Sequence, residues 1–236
     1  MQKSKIFSPA DAGTSEPEWR SLLRYSEEWC PRQGPLLVVA PHPDDEVLGA
    51  GGLVRSWAMA GQTVTVLSVT DGEAADVGRP DLGRIRRAEL RNALRTLSLL
   101  HVEVRRLGIP DGEVQGFKSR LRYAVQECTQ GQGTLIAPYE HDGHPDHEAV
   151  GKVCLDVAQS DGVPIARYPV WTWHHTNPRS LMALRWGLFR LGAAARRAKT
   201  RAMQCFESQL RPPRGLPIVP AHVLAHFERP YEAFLL

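Results

Sequence analysis

The sequence predicts an α/β protein: a Rossmann-like, mainly parallel sheet flanked by helices, with a C-terminal helical and Pro-rich extension. Three observations predict it. Short apolar runs rich in Val, Leu and Ile alternate with longer amphipathic stretches, the pattern of βαβ units. The runs are almost continuously apolar, as strands covered on both faces must be. Each run is followed by polar residues: "PHPDDE", "TDGE", "IPDGE" and "PYEHDGHPDH" come in turn. Ligands of open parallel sheets sit beyond the carboxyl ends of the strands. Order alone therefore gathers these residues at one edge.

The elements follow from local signals. Residues 1–33 are polar and turn-rich, which predicts a loose lead-in with one short helix. "GPLLVVAP" is a buried strand bounded by Gly and Pro, and "EVLGAGGLVRSWAMAG" is a helix stopped at Gly61. "QTVTVLSVTDG" is a β-branched strand. "LGRIRRAELRNALRTLSL" is an amphipathic helix with Leu82, Ile85, Leu90, Leu94 and Leu97 near one stripe. "VEVRRLGIPDG" is a strand closed by a Pro-Asp-Gly turn, and "FKSRLRYAVQECTQG" a further helix. "GTLIAPYEHDGHPDHEAVGKVCLDVAQ" gives strand, loop and helix, and "RYPVWTW" a fifth strand, on which Trp171 and Trp173 share a face. "LRWGLFRLGAAARRAKTRAMQCFESQL" has helical propensity, and "RPPRGLPIVP" is an extended arm. One domain is expected over 1–236, with its catalytic core at 35–175 and a basic extension at 176–236.

A chain of 236 residues, 42% hydrophobic, buries a full core without metal or disulfide staples, so a metal here is functional. The net charge of +3 does not point to nucleic acid. Between Arg179 and Arg214, however, eight Arg and one Lys face a single Glu, which suits an anionic group on a substrate, a membrane surface or solvent. Cys30, Cys128, Cys154 and Cys205 lack metal spacing and suit reduced thiols in the cytoplasm. No secretory leader and no apolar run long enough to span a membrane is expected.

"HPDD" and "HPDH" carry the chemistry. Each presents a His, a stiffening Pro, an Asp and a second metal-capable residue. Two imidazoles and one carboxylate form the protein ligand set of many catalytic zinc sites. His42, Asp45 and His147 supply that set. Asp44 is then placed to take a proton from water, and His144 to stabilise an oxyanion, with Asp146 orienting His144. Either motif alone would equally suit a solvated loop or negative charge at a helix N-terminus. The pair, after two different strands, favours a metal centre, and Glu46 keeps the plainer helix-end role.

"PHPDDE" followed about a hundred residues later by "HPDH" resembles the PIG-L (LmbE-like) N-acetyl-sugar deacetylases. The resemblance covers roughly residues 35–175. It implies a zinc-dependent hydrolase of Rossmann-like fold that removes acetyl from an N-acetylglucosamine-type sugar or glycoconjugate. One Zn2+ per chain, or another divalent metal in the cell, would be held by His42, Asp45 and His147. Asp44 would be the general base, His144 the oxyanion residue and Asp146 its support. Arg86 of "RRAEL" and Asp111 of "IPDG" would contact the sugar, with Arg87 the alternative to Arg86. Two departures stand out: Pro41 precedes His42 where Ala is common, and Asp142 stands where some members carry Tyr. A homo-oligomer is compatible with this pattern.

A different class is raised by "GAGG", residues 49–52: a nucleotide-binding Rossmann module. No Gly-x-Gly-x-x-Gly joins the first strand to its helix, and the "PHPDDE" carboxylates would repel a pyrophosphate.

Overall fold

The computed structural model describes residues 8–76, 78–98, 102–130, 133–213 and 215–236. Eight strands form one sheet: β1 (Glu27–Glu28), β2 (Leu36–Ala40), β3 (Val64–Ser68), β4 (Glu103–Arg106), β5 (Thr134–Pro138), β6 (Ile165–Tyr168), β7 (Trp186–Arg190) and β8 (Tyr231–Leu235). Their order is β1-β7-β8-β6-β5-β2-β3-β4. Every pairing is parallel except those of β8, which runs antiparallel to β6 and β7.

The central strands are apolar throughout because both faces are covered. Leu36 and Val38 of β2 enter one core cluster, and Leu37 and Val39 enter the other. The first face carries α1 (Glu16–Leu23), α2 (Asp45–Met59), α3 (Leu82–Thr96) and, packed on α2 and α3, α7 (Ala193–Met203). The second carries α4 (Lys118–Thr129) and α5 (Pro145–Asp161). Among the described residues, no helix is long and apolar enough to cross a membrane.

Three expectations are corrected. Residues 1–7 of the lead-in lie outside the described residues, but the rest is not loose. Trp19 of α1 is fully buried, meets the Trp173 ring edge-on at 4.8 Å and donates Nε1–H to Trp173 O at 2.6 Å. The fifth strand ends at Tyr168, because Thr172–His175 closes into the short helix α6. The Asp142 carboxylate accepts the Val170, Trp171 and Thr172 amides at 2.9–3.0 Å and turns the chain there. Residues 186–190 form β7 instead of helix: β8 offers a full set of partners, and Gly187 admits Trp29, whose Cβ would lie 2.6 Å from a Cβ at 187. Pairing overrides helix propensity there. The "GAGG" glycines lie inside α2, as the helix read over "EVLGAGGLVRSWAMAG" requires. A Cβ at Gly49 would come within 2.3 Å of the Tyr168 ring, and one at Gly52 within 2.4 Å of Leu191. They are packing contacts, which removes the sequence feature behind the nucleotide-binding alternative.

Candidate metal centre

Both motifs sit where a strand hands over to a helix: "PHPDDE" between β2 and α2, "HPDH" between β5 and α5. Since β2 and β5 are adjacent and parallel, both turns emerge at the same edge. His42 Nδ1 lies 3.2 Å from His147 Nε2 and 3.4 Å from Asp45 Oδ2, and His147 Nε2 lies 3.3 Å from the same oxygen. Bonds of about 2.0–2.1 Å to a tetrahedral zinc require donors about 3.3–3.4 Å apart. The three atoms therefore form a triangle of the right size for one ion.

The surrounding hydrogen bonds fix which ring nitrogens are free to ligate. His42 Nε2 faces Asp111 Oδ1 at 3.1 Å and Asp146 Oδ2 at 3.3 Å, and His147 Nδ1 faces Asp142 Oδ2 at 2.9 Å. Carboxylates only accept, so each imidazole gives its N–H to them and keeps a lone pair toward the triangle. His42, His144 and His147 also approach closely enough to share an ion, as do His42, Asp111 and Asp146. Asp45 fits better than either grouping. Asp111 and Asp146 meet the opposite nitrogen of His42, away from His147 Nε2, whereas Asp45 Oδ2 faces both rings. His144 Nδ1 accepts the Asp146 amide at 3.2 Å.

The charges agree with that set. Burial disfavours the imidazolium of His147, but Asp45 and Asp142 outweigh it and raise its pKa to about 9. His42 is likewise held well above its ordinary value, against burial, by Asp111, Asp146 and Asp45. Asp45 falls below the usual carboxylate range: burial opposes this, and His147 and His42 prevail. A cation held here would replace the protons those imidazoles otherwise collect.

Asp44 is separated from Asp45 by its backbone. It caps α2 at φ 144° and ψ −30°, a conformation that L-residues rarely adopt. Its carboxyl is buried, and burial together with Asp45 pushes it up to about 8, with Arg86 pulling back. Burial and the neighbouring Asp45 thus make this carboxyl hold a proton more readily than an exposed one. Its neighbour Glu46 is buried too. Burial, then Asp44, holds its carboxyl well above the ordinary value, and Oε1 has no hydrogen-bond partner.

The remaining expected residues all come to this edge. His144 is half-buried, its ring 4.8 Å from that of His42. Because Nδ1 accepts an amide hydrogen, the ring N–H of the neutral form is at Nε2. The support from Asp146 takes another form than expected. Its backbone amide holds His144, while its carboxylate bonds Gly112, Val114 and His42. Arg86 points inward, 3% exposed, with Nε and Nη2 lacking any hydrogen-bond partner. Arg87 instead pairs with Asp71, which also binds Arg106. The register of α3 thus turns Arg86 inward and Arg87 toward Asp71. Asp111 reaches His42 rather than open space. Trp171 and Trp173 are buried in the core.

Sequence reasoning treated Asp142 only as a replaced Tyr. It is fully buried and gathers His147, three amides and the Thr172 hydroxyl. The usable signal was chemical: a ligating His needs an acceptor for its other N–H, and an Asp before a turn-forming Gly143 can supply it.

Comparison with known proteins adds three findings. The family described as PIG-L, GlcNAc-PI de-N-acetylase, matches residues 37–158. A probable N-acetyl-alpha-D-glucosaminyl L-malate deacetylase 2 of Bacillus cereus is 31% identical over 132 residues, 51% of this chain and 59% of that protein. The chain spans little more than half the length of the curated relatives it matches. Among solved structures, the N,N'-diacetylchitobiose deacetylase of Pyrococcus horikoshii superposes with a TM-score of 0.63 at 20% identity, covering 96% of this chain and 94% of that one. A zinc-inhibited teicoplanin deacetylase gives 0.61 at 20% identity, covering 74% and 84%. These two likenesses establish a shared fold.

Proposed function

The chain belongs to the PIG-L family, and from that premise we propose that it is a metal-dependent hydrolase that removes acetyl from an N-acetylglucosaminyl compound. The observation that carries the reading is the triangle of His42 Nδ1, His147 Nε2 and Asp45 Oδ2 with a separate buried carboxyl, Asp44, beside it. The relatives supply the substrate class, since the Bacillus cereus protein is described as a deacetylase of an N-acetylglucosaminyl malate. Zinc, one ion per chain, is the proposed metal, because two imidazoles and one carboxylate are the protein ligands of many catalytic zinc sites. The unpaired cysteines support a reducing compartment such as the cytoplasm.

When bound, zinc would polarise the acetyl carbonyl and make a nearby water more acidic. The chain's own groups do the rest. Asp44 accepts the proton of the attacking water as oxygen bonds to the acetyl carbon. His144 donates its Nε2–H to the carbonyl oxygen as negative charge develops there. The proton held by Asp44 passes to the nitrogen as the C–N bond breaks, leaving acetate and a free amine. Arg86 binds the sugar portion, because its partnerless buried donors need an acceptor that the protein does not provide. Asp111 acts chiefly by holding His42.

Acetate release from N-acetylglucosamine and N,N'-diacetylchitobiose tests the reading, with metal content measured on the same samples. Asp44→Asn should keep the metal and lose about 10²–10⁴-fold in kcat. His147→Ala should lose the metal itself. Asp44→Asn that turns over normally with metal bound removes the base assignment, and His147→Ala with full metal content removes the ligand set.

A further inference from the structure

A segment beyond the family match reaches back to the metal loop through one side chain. The short helix α8 (Glu207–Leu210) is clamped on one side by Glu89 of α3, whose carboxylate takes the Ser208 amide and hydroxyl, each at 2.7 Å. On the other side Gln209 O accepts the Ile218 and Val219 amides at 2.9 and 3.2 Å. So held, and 2% exposed, Gln209 gives its Nε2–H to Pro43 O at 2.7 Å. A carbonyl only accepts, which fixes the orientation of the Gln209 amide.

Pro43 O is one end of the peptide plane that leads into Asp44. The other end, the Asp44 N–H, faces Glu46 Oε2 at 3.4 Å. The tilt of this plane sets φ of Asp44. A strained φ persists only where its surroundings over-determine it. Here Gln209 and Glu46 hold opposite ends of the plane, and Asp44 O is fixed by the Val47 and Leu48 amides at 2.9 and 2.8 Å. Among the described residues, Asp44 and Gln209 are also the only polar ones lining a small cavity walled by Leu48, Phe206 and Leu224 among others. No other polar side chain of that cavity can replace Gln209.

We propose that Gln209 is a positioning residue for Asp44: by fixing the Pro43–Asp44 peptide it maintains the positive φ that turns Asp44 and Asp45 toward different tasks. The proposal rests on the reading of Asp44 as general base. It places a determinant of the chemistry in the C-terminal extension, outside residues 37–158.

Gln209→Met keeps the size and removes the donor. With N-acetylglucosamine as probe, kcat should fall about 10²-fold, as expected when a catalytic group is misplaced by about 1 Å. KM should stay within about twofold and metal content should be unchanged. In an Asp44→Asn background Gln209→Met should cost nothing more, since both act through one carboxylate. Normal kcat in Gln209→Met beside a slow Asp44→Asn overturns the proposal, as do independent, multiplying losses. An active, metal-loaded Asp44→Asn overturns the base reading instead. A crystal structure of Gln209→Met decides without any substrate: Asp44 should relax to negative φ, and an unchanged 144° refutes the role.

Discussion

Two of the clusters in which the molecule buries charge are solved in opposite ways. Around the first face, away from the motifs, Lys199 Nζ meets Glu232 Oε1 at 2.6 Å, and Arg229 meets Glu16 through Nε and Nη2 at 2.8 and 2.7 Å. His226 Nδ1 lies 2.8 Å from Glu16, with its pKa lowered chiefly by burial. The Gly52 and Leu53 amides complete Glu232, and the Leu48 carbonyl accepts from Lys199. Two cations answer two anions. At the candidate metal centre, Asp44, Asp45, Glu46, Asp142 and Asp146 are buried, Asp111 is nearly so, and among the described residues Arg86 is the one buried permanent cation facing them. The difference teaches how to separate a structural charge cluster from a functional one. The first is closed by its own members. The second is short of positive charge and has buried donors with no acceptor, so it is complete only when something binds.

Breaking the closed cluster should cost stability and nothing else. Lys199→Met leaves Glu232 buried beside two amides, and such unpaired charges destabilise by about 3–5 kcal/mol. Urea denaturation should show that loss while metal content holds, and adding Glu232→Gln should restore most of it. A metal loss in Lys199→Met would join the two clusters into one system. Disturbing the open cluster from behind should do the reverse. Asp142→Asn keeps the shape but weakens the acceptor for His147, so metal affinity should fall about 10–100-fold, read by competition with a chelator. Unchanged affinity would make Asp142 a loop anchor only. The smallest effect concerns acid. Burial opposes the Glu16 carboxylate, but His226 and Arg229 lower its pKa from 4.5 to about 2. Its contribution to stability is therefore full above pH 4.5 and fades as pH falls toward about 2. Glu16→Gln should flatten the acid limb of Tm over that interval. An unaltered limb would show that Arg229 is satisfied without this partner.

Much of the site was legible because its residues are sequential. "HPDD" and "HPDH" each carry several functional groups in one turn, and the alternation of strands with helices brings the turns together. Arg86 could not be separated from Arg87 without the helix register, which the packing of α3 sets. Gln209 was invisible, because its relation to Pro43 spans 166 residues and uses a side chain with no motif around it. The parallel core was legible from continuous apolar runs. The antiparallel rib was not: "WGLFR" is a strand only because "YEAFL" lies beside it. Propensity carries no information about such a partner.

The place of β8 has a consequence for synthesis. It lies between β6 and β7 and joins β1 and β7 to the rest of the sheet, although it is the last of these strands in chain order. On a ribosome adding about 5–20 residues per second, β2 to β6 can assemble while the rib of β1 and β7 has no place to dock. Between those moments the nascent protein exposes β6, which carries Ala166 and Tyr168, as an open edge. Chaperone engagement should therefore peak in that window and end once residues 231–235 leave the exit tunnel.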